Sequence, residues 1–145
     1  MIRYVVDASV AVKWIVPEVF SVEAARLQPS ENEVIAPDLL PLEVVSALLK
    51  KARRSEIGFD EIREGLELIS LLVQLHPSST LLDEALSIAV RYRTSLYDSL
   101  YVALALQEQC QLITADERLF SALLLALPER LLWVEDIPSP DPEGA

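Results

Sequence analysis

The segment SLYDSLYVALALQ, residues 95–107, carries one acid, Asp98, inside an apolar helical pattern. Two interpretations are open for this acid. Ser95 followed three residues later by an acid is the S-x-x-D pattern of a capping box, in which Asp98 only helps to start a helix. Alternatively, Asp98 is one of several carboxylates that meet in the folded chain. The positions of the other acids decide between the two.

Three further acids stand where elements of structure meet. Asp7 directly follows the valine-rich run RYVV, and Asp116 follows QLITA. The carboxyl ends of parallel strands share one edge of a sheet, and a helix that runs antiparallel to them begins at that edge, where we therefore expect Asp98 as well. Glu43, in PLEVVSALLK, lies on the shoulder of a helical apolar stripe, one turn into its helix. Each acid alone could be a helix cap or a solvated side chain, but together they predict a convergence.

Gathered carboxylates suggest metal chemistry. Carboxylates held close together repel one another unless protons or cations neutralise them. Magnesium prefers oxygen ligands and retains several waters, and two such ions roughly 4 Å apart can activate a water and stabilise the leaving oxygen of a phosphodiester. The chain has one histidine, one cysteine and three glycines. This inventory argues against a catalytic triad, a zinc cluster and a glycine-rich nucleotide loop.

The periodicity of the chain predicts an α/β fold. Strand-like runs are RYVVDAS, VIAP, LLVQLHP, QLITAD and RLLWVED, and helical patterns cover 8–15, 20–28, 38–54, 59–71, 80–92, 96–108 and 117–127. Apolar strands that alternate with helices indicate a central parallel β-sheet with helices on both faces. Asp38 can cap the helix that carries Glu43. We expect a single domain over residues 1–135 and an acidic, proline-rich C-terminal tail over 136–145.

Charge and hydropathy limit the possible partners. The chain of 145 residues has 23 acids, 12 Lys and Arg residues and a formal net charge of −11, which repels polyanions at long range. No uninterrupted apolar stretch approaches the ~20 residues that span a bilayer. The N-terminus enters a strand-like run without a charged and apolar leader. We therefore expect a cytoplasmic protein with no membrane partner.

Four ordered motifs carry a family resemblance: VVDASVAVKW, PLEVVSALLK, SLYDSLYVALA and LITADERLF. In order and approximate spacing the chain resembles PIN domains, in particular the VapC-like toxins of toxin and antitoxin pairs. The resemblance implies a compact α/β fold and a Mg²⁺-dependent endoribonuclease in which Mn²⁺ substitutes. It also implies a homodimer and a cognate antitoxin whose C-terminal segment plugs the acidic groove.

The resemblance also assigns residues. The catalytic and metal-binding acids fall on Asp7, Glu43, Asp98 and Asp116, and supporting hydroxyls fall on Ser9 and Thr114. Many relatives have asparagine three residues after the glutamate, whereas this chain has Ser46. That difference bears on a contact beside the metal site and leaves the metal ligands unaffected.

Basic and aromatic residues suggest how RNA is held. Lys50, Lys51, Arg53 and Arg54 cluster at the end of the Glu43 helix, and Lys13 follows Asp7 in the first helix. The helix-end cluster could instead serve solvation and the helix dipole. With a net negative protein, we expect weak, salt-sensitive binding of an accessible single-stranded RNA loop. Three aromatic residues could stack bases or fill the core, and core packing is the expectation: Trp14, Tyr97 and Tyr101.

Other functions stay open at this point. A PIN-type nuclease in RNA processing or DNA cleavage is the nearest alternative, and a non-catalytic binding module is the next. A phosphatase is disfavoured because it requires a D-x-D motif, and the chain has Asp7, Ala8 and Ser9 at that place. The leucine-rich segments 66–75 and 119–127 offer more apolar surface than a small core requires. One of them is a candidate dimer face.

Overall fold

The computed structural model describes residues 1–27 and 29–140. Its β-strands are β1 (Ile2–Val6), β2 (Asn32–Pro37), β3 (Gln74–His76), β4 (Gln111–Thr114) and β5 (Leu131–Trp133). Its α-helices are α1 (Ala8–Ala11), α2 (Ser21–Ala24), α3 (Leu40–Arg53), α4 (Phe59–Leu72), α5 (Leu82–Tyr92), α6 (Leu96–Gln107) and α7 (Glu117–Leu123). Within these described residues, no helix is both long and apolar enough to cross a bilayer.

The five strands form one parallel sheet in the order β3-β2-β1-β4-β5. Consecutive side chains along the central strands are all buried, for example Val5 and Val6 in β1 and Leu112 and Ile113 in β4. Successive side chains of a strand point to opposite faces of the sheet, so layers of the fold must cover both faces. The predicted α/β fold with a parallel sheet is therefore confirmed.

The direction in which successive strands are added to the sheet reverses beside β1. The chain proceeds from β1 to β2 and β3 on one side, and then returns to place β4 on the other side of β1. In parallel sheets, the carboxyl ends of the strands at such a reversal form a crevice for ligands. Helix α6 packs against β1, β2 and β4 and leads directly into β4, so its first turn lies over the same edge.

Several element boundaries differ from the sequence prediction. The predicted helix 8–15 is α1 followed by a short 3-10 turn over Val12–Trp14, and the predicted helix 117–127 ends at Leu123. The predicted helix 20–28 is reduced to α2, and residue 28 lies outside the described residues. Short apolar segments satisfy helical periodicity over one turn without continuing it, so periodicity overestimates their length.

Asp38 does not cap α3, contrary to the sequence prediction. The helix begins at Leu40 after Leu39, whose side chain makes no capping hydrogen bond. The Asp38 carboxylate instead accepts hydrogen bonds from the backbone N–H and the hydroxyl of Ser78, at 3.0 and 2.5 Å. It therefore links the start of α3 to the segment that follows β3.

The C-terminal segment begins as part of the packed domain. Ile137 is buried, and its carbonyl accepts a hydrogen bond of 3.0 Å from Arg26 Nη1. The division of the chain at residue 135 stays a prediction. Residues 141–145 of the predicted tail lie outside the described residues.

Candidate active site

The carboxyl ends of β1 and β4 bring Asp7, Thr114 and Asp116 to one edge of the sheet. Val6 pairs with Ile113, so the next residues along the two strands, Asp7 and Thr114, are level with each other. Asp116 follows two residues later and caps α7. These residues therefore lie at the strand-order reversal, where the sequence predicted them.

Asp7 is buried and held by hydroxyl groups. The hydroxyl of Ser9 donates to Asp7 Oδ1 at 2.5 Å, and the hydroxyl of Thr114 donates to Asp7 Oδ2 at 2.5 Å. The backbone N–H of Val10 also donates to Oδ1, at 3.3 Å. The two hydroxyls have backbone donors of their own, because Ser9 Oγ accepts from the N–H of Ala115 and Thr114 Oγ1 accepts from that of Asp116. Each hydroxyl proton is thus directed at Asp7.

Burial raises the pKa of Asp7 to about 6, and the negative charge of Asp98 adds to the rise. The hydrogen bonds from Ser9, Thr114 and Val10 act in the opposite direction because they stabilise the carboxylate. A buried acid with a neighbouring acid is electrostatically unfavourable as an anion. A cation near Asp7 would remove this cost.

Asp98 both belongs to a cap and faces the other acids. Its backbone N–H donates to the Ser95 hydroxyl at 3.1 Å, which is the N-cap interaction of α6. Its carboxylate raises the pKa of both Asp7 and Glu43. Its own pKa is raised by burial and by the charge of Asp116, while the side chain of Ser95 opposes the rise. The two interpretations of the SLYD segment are therefore compatible, since the backbone N–H of Asp98 takes part in the cap while its carboxylate acts on the pKa of Asp7 and Glu43.

Glu43 projects from α3 to the same edge and is fixed by a tyrosine. The phenolic hydroxyl of Tyr101 donates to Glu43 Oε1 at 2.6 Å. Burial raises the pKa of Glu43, the bond from Tyr101 opposes the rise, and the charge of Asp98 adds to it. The pKa of Tyr101 is raised by burial and by Glu43, so its proton stays in place as a donor.

Asp116 is the most exposed of the four acids. Its Oδ1 accepts from the backbone N–H groups of Arg118 and Leu119, at 3.0 and 3.2 Å. Its charge contributes to the raised pKa of Asp98. The charge of Asp98 thus acts on the pKa of Asp7 and of Glu43, and the charge of Asp116 acts on the pKa of Asp98.

The donor chemistry of this group fits a hard divalent cation. All four side chains offer carboxylate oxygens, the ligands that Mg²⁺ and Mn²⁺ prefer. In residues 1–27 and 29–140, no three His, Cys, Asp or Glu side chains are already arranged as a metal cage. Magnesium commonly binds through one or two carboxylates and several waters, so an open arrangement suits this ion better than a closed cage would.

A sequence model of the PIN-domain family matches residues 4–123. The chain belongs to the PIN-domain family. The match spans all four acids and both hydroxyls that contact Asp7. The motif-based resemblance to this family is therefore confirmed.

Curated relatives of this PIN domain are named as ribonucleases. Ribonuclease VapC3 of Pyrobaculum aerophilum is 33% identical over 120 residues, which cover 81% of this chain and 92% of the relative. Ribonuclease VapC1 of Mycobacterium tuberculosis is 34% identical over 119 residues, covering 81% and 89% of the two chains. These relatives place the PIN domain among VapC ribonucleases, so the nuclease class that the sequence predicted is confirmed.

Solved structures share the fold at lower sequence identity. A crystal structure of PAE2754 from Pyrobaculum aerophilum superposes with a TM-score of 0.68 and 22% identity over 92% of both chains. A structure of Mycobacterium tuberculosis VapC20, described as a sarcin-ricin loop cleaving toxin, gives a TM-score of 0.63 and 18% identity. That match covers 82% of this chain and 94% of VapC20. At these identities the likeness supports the fold.

The basic residues of this PIN domain divide into two groups. Lys13 Nζ is 2.9 Å from Glu18 Oε1, and the lysine side chain is only 10% exposed. Lys50, Arg53 and Arg54 are exposed at the end of α3, and none of them forms an ion pair with a described residue. Their assignment to RNA stays a prediction, but the second group presents positive charge to solvent.

Two tyrosines beside the acids were not assigned to the site from sequence. Tyr101 is fully buried, as expected for a core residue, but its hydroxyl also contacts Glu43. Tyr97 is 58% exposed, so the expectation that it fills the core is wrong. Tyr101 stands three residues after Asp98, a spacing that places both on one face of a helix. That spacing is the signal that could have identified it.

Proposed function

We propose that this PIN domain is the toxin of a toxin-antitoxin pair and that it hydrolyses RNA phosphodiester bonds with a divalent cation. The observation that carries the proposal is the meeting of four acids at the strand-order reversal. Asp7 and Asp116 follow β1 and β4, Asp98 lies in the first turn of α6, and Tyr101 of the same helix holds Glu43. The names of the curated relatives add support for an endoribonuclease. Mg²⁺ is the proposed ion, with Mn²⁺ as a substitute.

The four carboxylates would hold the cation. When bound, Mg²⁺ lowers the pKa of a water and stabilises the charge on the leaving oxygen of the phosphodiester. Ser9 and Thr114 keep Asp7 in one orientation and favour its ionised form. Tyr101 fixes one oxygen of Glu43 by donating a hydrogen bond to Oε1. The neighbouring residues thus control both the charge and the direction of these acids.

The proposed antitoxin would inhibit by occupying the acidic site. A cluster of carboxylates that attracts cations also accepts a basic side chain, and the planar guanidinium of arginine can pair with two carboxylate oxygens. Such a side chain would compete with the cation for the same ligands. The complex should therefore be inactive until the antitoxin is removed.

We also propose a homodimer, formed through α5. Leu82, Leu86 and Val90 recur every four residues on one face of this helix and are 46%, 58% and 74% exposed. Antiparallel pairing of two α5 helices about a twofold axis would bury this stripe. The apolar stripe is therefore self-complementary.

RNA cleavage by the purified protein tests the proposed function. The assay compares wild type with Asp7→Asn, with Mg²⁺ or Mn²⁺ and with excess EDTA. We expect cleavage that requires the cation and falls by orders of magnitude in Asp7→Asn, because the substitution removes a ligand charge. Asp83→Asn is the matched control, since Asp83 is exposed in the first turn of α5, away from the cluster.

The same assay distinguishes the alternatives. Cleavage of single-stranded DNA in preference to RNA would support the DNA nuclease alternative. Cation-independent cleavage, or equal cleavage by wild type and Asp7→Asn, would contradict the proposal. No cleavage of any nucleic acid by antitoxin-free protein would favour a binding module.

A further inference from the structure

A cavity of about 530 Å³ opens beside the acidic cluster. Its wall includes Glu43 itself, Ala8, which follows Asp7, and Tyr97, which precedes Asp98. Glu43, Ser46 and Lys50 recur at helical spacing along α3 and form one side of the cavity. The volume lies in the range of small-molecule sites. The cavity is thus continuous with the acids and large enough for a nucleotide.

Tyr97 gives the cavity an exposed aromatic face. Tyr97 lies in the first turn of α6, and the residues that follow, from Ser99 to Ala105, are all buried. Tyr97 itself is 58% exposed. An aromatic ring beside a nucleic-acid site can stack on any base, since every base has a π-face. Tyr97 is therefore placed to stack a base next to the acids.

Lys50 gives the cavity a positive charge. It stands seven residues after Glu43, two turns or about 10 Å along α3. Lys50 forms no ion pair with any described residue, whereas the adjacent Lys51 is 3.3 Å from Glu18 and 3.8 Å from Glu56. In a protein of net charge −11, a polyanion needs such a local cation. Lys50 is therefore available to bind an RNA phosphate that neighbours the phosphodiester at the four acids.

We infer that this cavity is a subsite for one nucleotide of single-stranded RNA, next to the cleaved phosphodiester. The base stacks on Tyr97, and its phosphate lies against the ammonium of Lys50. Stacking tolerates any base, so the subsite favours unpaired over paired RNA without a strong sequence preference. The inference rests on the proposed ribonuclease function and adds the way in which the substrate is held.

RNA binding by an uncleaving variant tests the subsite. A short fluorescein-labelled oligouridine is titrated with Asp7→Asn protein in Mg²⁺, and binding is followed by fluorescence anisotropy. Adding Tyr97→Ala should weaken binding roughly 5- to 150-fold, the loss for one base stacked on an aromatic ring. Tyr97→Phe should keep the affinity, and Tyr97→Leu should lose as much as alanine, because stacking requires an aromatic ring.

Two further substitutions test the phosphate contact. Lys50→Ala should weaken binding and reduce the slope of log affinity against log salt by about 0.7, the value for one contact to a single strand. Lys51→Ala should leave that slope unchanged because Lys51 is already paired with Glu18 and Glu56. Phe59→Ala is the aromatic control, since Phe59 is 65% exposed at the start of α4 and does not line the cavity.

The outcomes separate this inference from the proposed function. Unchanged RNA affinity in Tyr97→Ala, or equal losses from Lys50→Ala and Lys51→Ala, would overturn the subsite even if wild type cleaves RNA. Retained RNA binding in Tyr97→Leu would show that no aromatic ring is needed at this position and would also overturn the stacking subsite. A wild-type protein that cleaves no RNA in the presence of Mg²⁺ or Mn²⁺ would instead contradict the proposed function.

Discussion

The phenolic hydroxyl of Tyr101 and Glu43 Oε1 are 2.6 Å apart, although the two residues are 58 positions apart in the chain. Tyr101 lies on α6, one turn after Asp98, and Glu43 lies on α3. The hydrogen bond therefore connects α6, which carries Asp98, to the side chain of Glu43. It fixes Glu43 beside a cluster whose charges would otherwise drive it away.

Tyr101→Phe tests this positioning role by removing one oxygen atom. We expect the affinity for Mn²⁺ and the rate of RNA cleavage to fall about 10- to 100-fold, the usual cost of losing a residue that orients a metal ligand. The Mn²⁺-induced rise in melting temperature should also shrink. Tyr92→Phe is the control, because Tyr92 lies at the end of α5 and its ring contacts Arg91 instead. Equal behaviour of the two variants would show that the Tyr101 hydroxyl only fills space.

Thr114→Val tests the support of Asp7. The valine removes a donor to Asp7 Oδ2 and an acceptor for the N–H of Asp116. Because that donor lowers the pKa of Asp7, its loss should shift the acidic limb of the pH-rate profile to higher pH. Thr114→Ser keeps the hydroxyl and should retain the wild-type profile. An unshifted limb in Thr114→Val would contradict the role of the hydroxyl.

The metal-free protein should lose stability as the pH rises. The pKa of Asp7 is about 6 in the folded state, against an ordinary value of 3.8. The folded state thus binds this proton more tightly than the unfolded state does. The stabilisation that results is complete below pH 3.8 and is lost as the pH rises through 6. Between pH 4.5 and 7 the loss from this residue is about 2 kcal/mol, at about 1.4 kcal/mol per pH unit.

Urea unfolding in EDTA at these two pH values measures the effect. Asp7→Asn should show a smaller fall in the free energy of unfolding, because the asparagine does not titrate. Asp83→Asn removes the same formal charge from an exposed position and should keep the wild-type fall. If both variants behave like wild type, Asp7 is ionised in the folded protein without cost.

Leu86→Glu tests the proposed dimer. Leu86 is the middle residue of the apolar stripe on α5, so two facing copies of a glutamate should repel and leave the protein monomeric. Multi-angle light scattering after size exclusion measures the mass in solution. Leu125→Glu is the control, since Leu125 is 97% exposed in the segment 119–127 that the sequence offered as a dimer face. A monomer caused by Leu125→Glu alone would place the interface there instead.

Patterns along the chain were sufficient to predict the sheet and the edge where the acids lie. The apolar strands, with Asp7 and Asp116 directly after two of them, fix the location because parallel strands end at a common edge. The same rule predicts the position of Asp98, because its helix runs antiparallel to the strands and begins at that edge. The family resemblance added the roles of these acids, which periodicity alone does not provide.

Contacts between distant segments could not be predicted from such patterns. Asp38 has the residue type of a cap, but a hydroxyl 40 positions away competes for its carboxylate. Lys13 and Lys50 are both lysines near acids in the sequence, and only the fold shows that Glu18 pairs with Lys13. Tyr97 and Tyr101 are one helical turn apart, but one is exposed and the other buried. In each case the outcome depends on tertiary packing.

The central claim is that Asp98 joins the other three acids in a cation site, and titration with Mn²⁺ tests it most directly. The melting temperatures of wild type, Asp98→Asn and Asp83→Asn are measured over a range of Mn²⁺ concentrations, with an inert salt at equal ionic strength as reference. A cation that binds only the folded state stabilises it by about 2.7 kcal/mol at a hundredfold excess over its dissociation constant. For a domain of this size that is a rise of roughly 5 to 10 °C.

We predict this rise for wild type and Asp83→Asn and a much smaller one for Asp98→Asn, which should start at equal or higher stability without metal because one repelling charge is gone. Equal rises in wild type and Asp98→Asn would show that Asp98 only starts a helix. No rise in any of the three proteins beyond that of the inert salt would contradict the cation site itself.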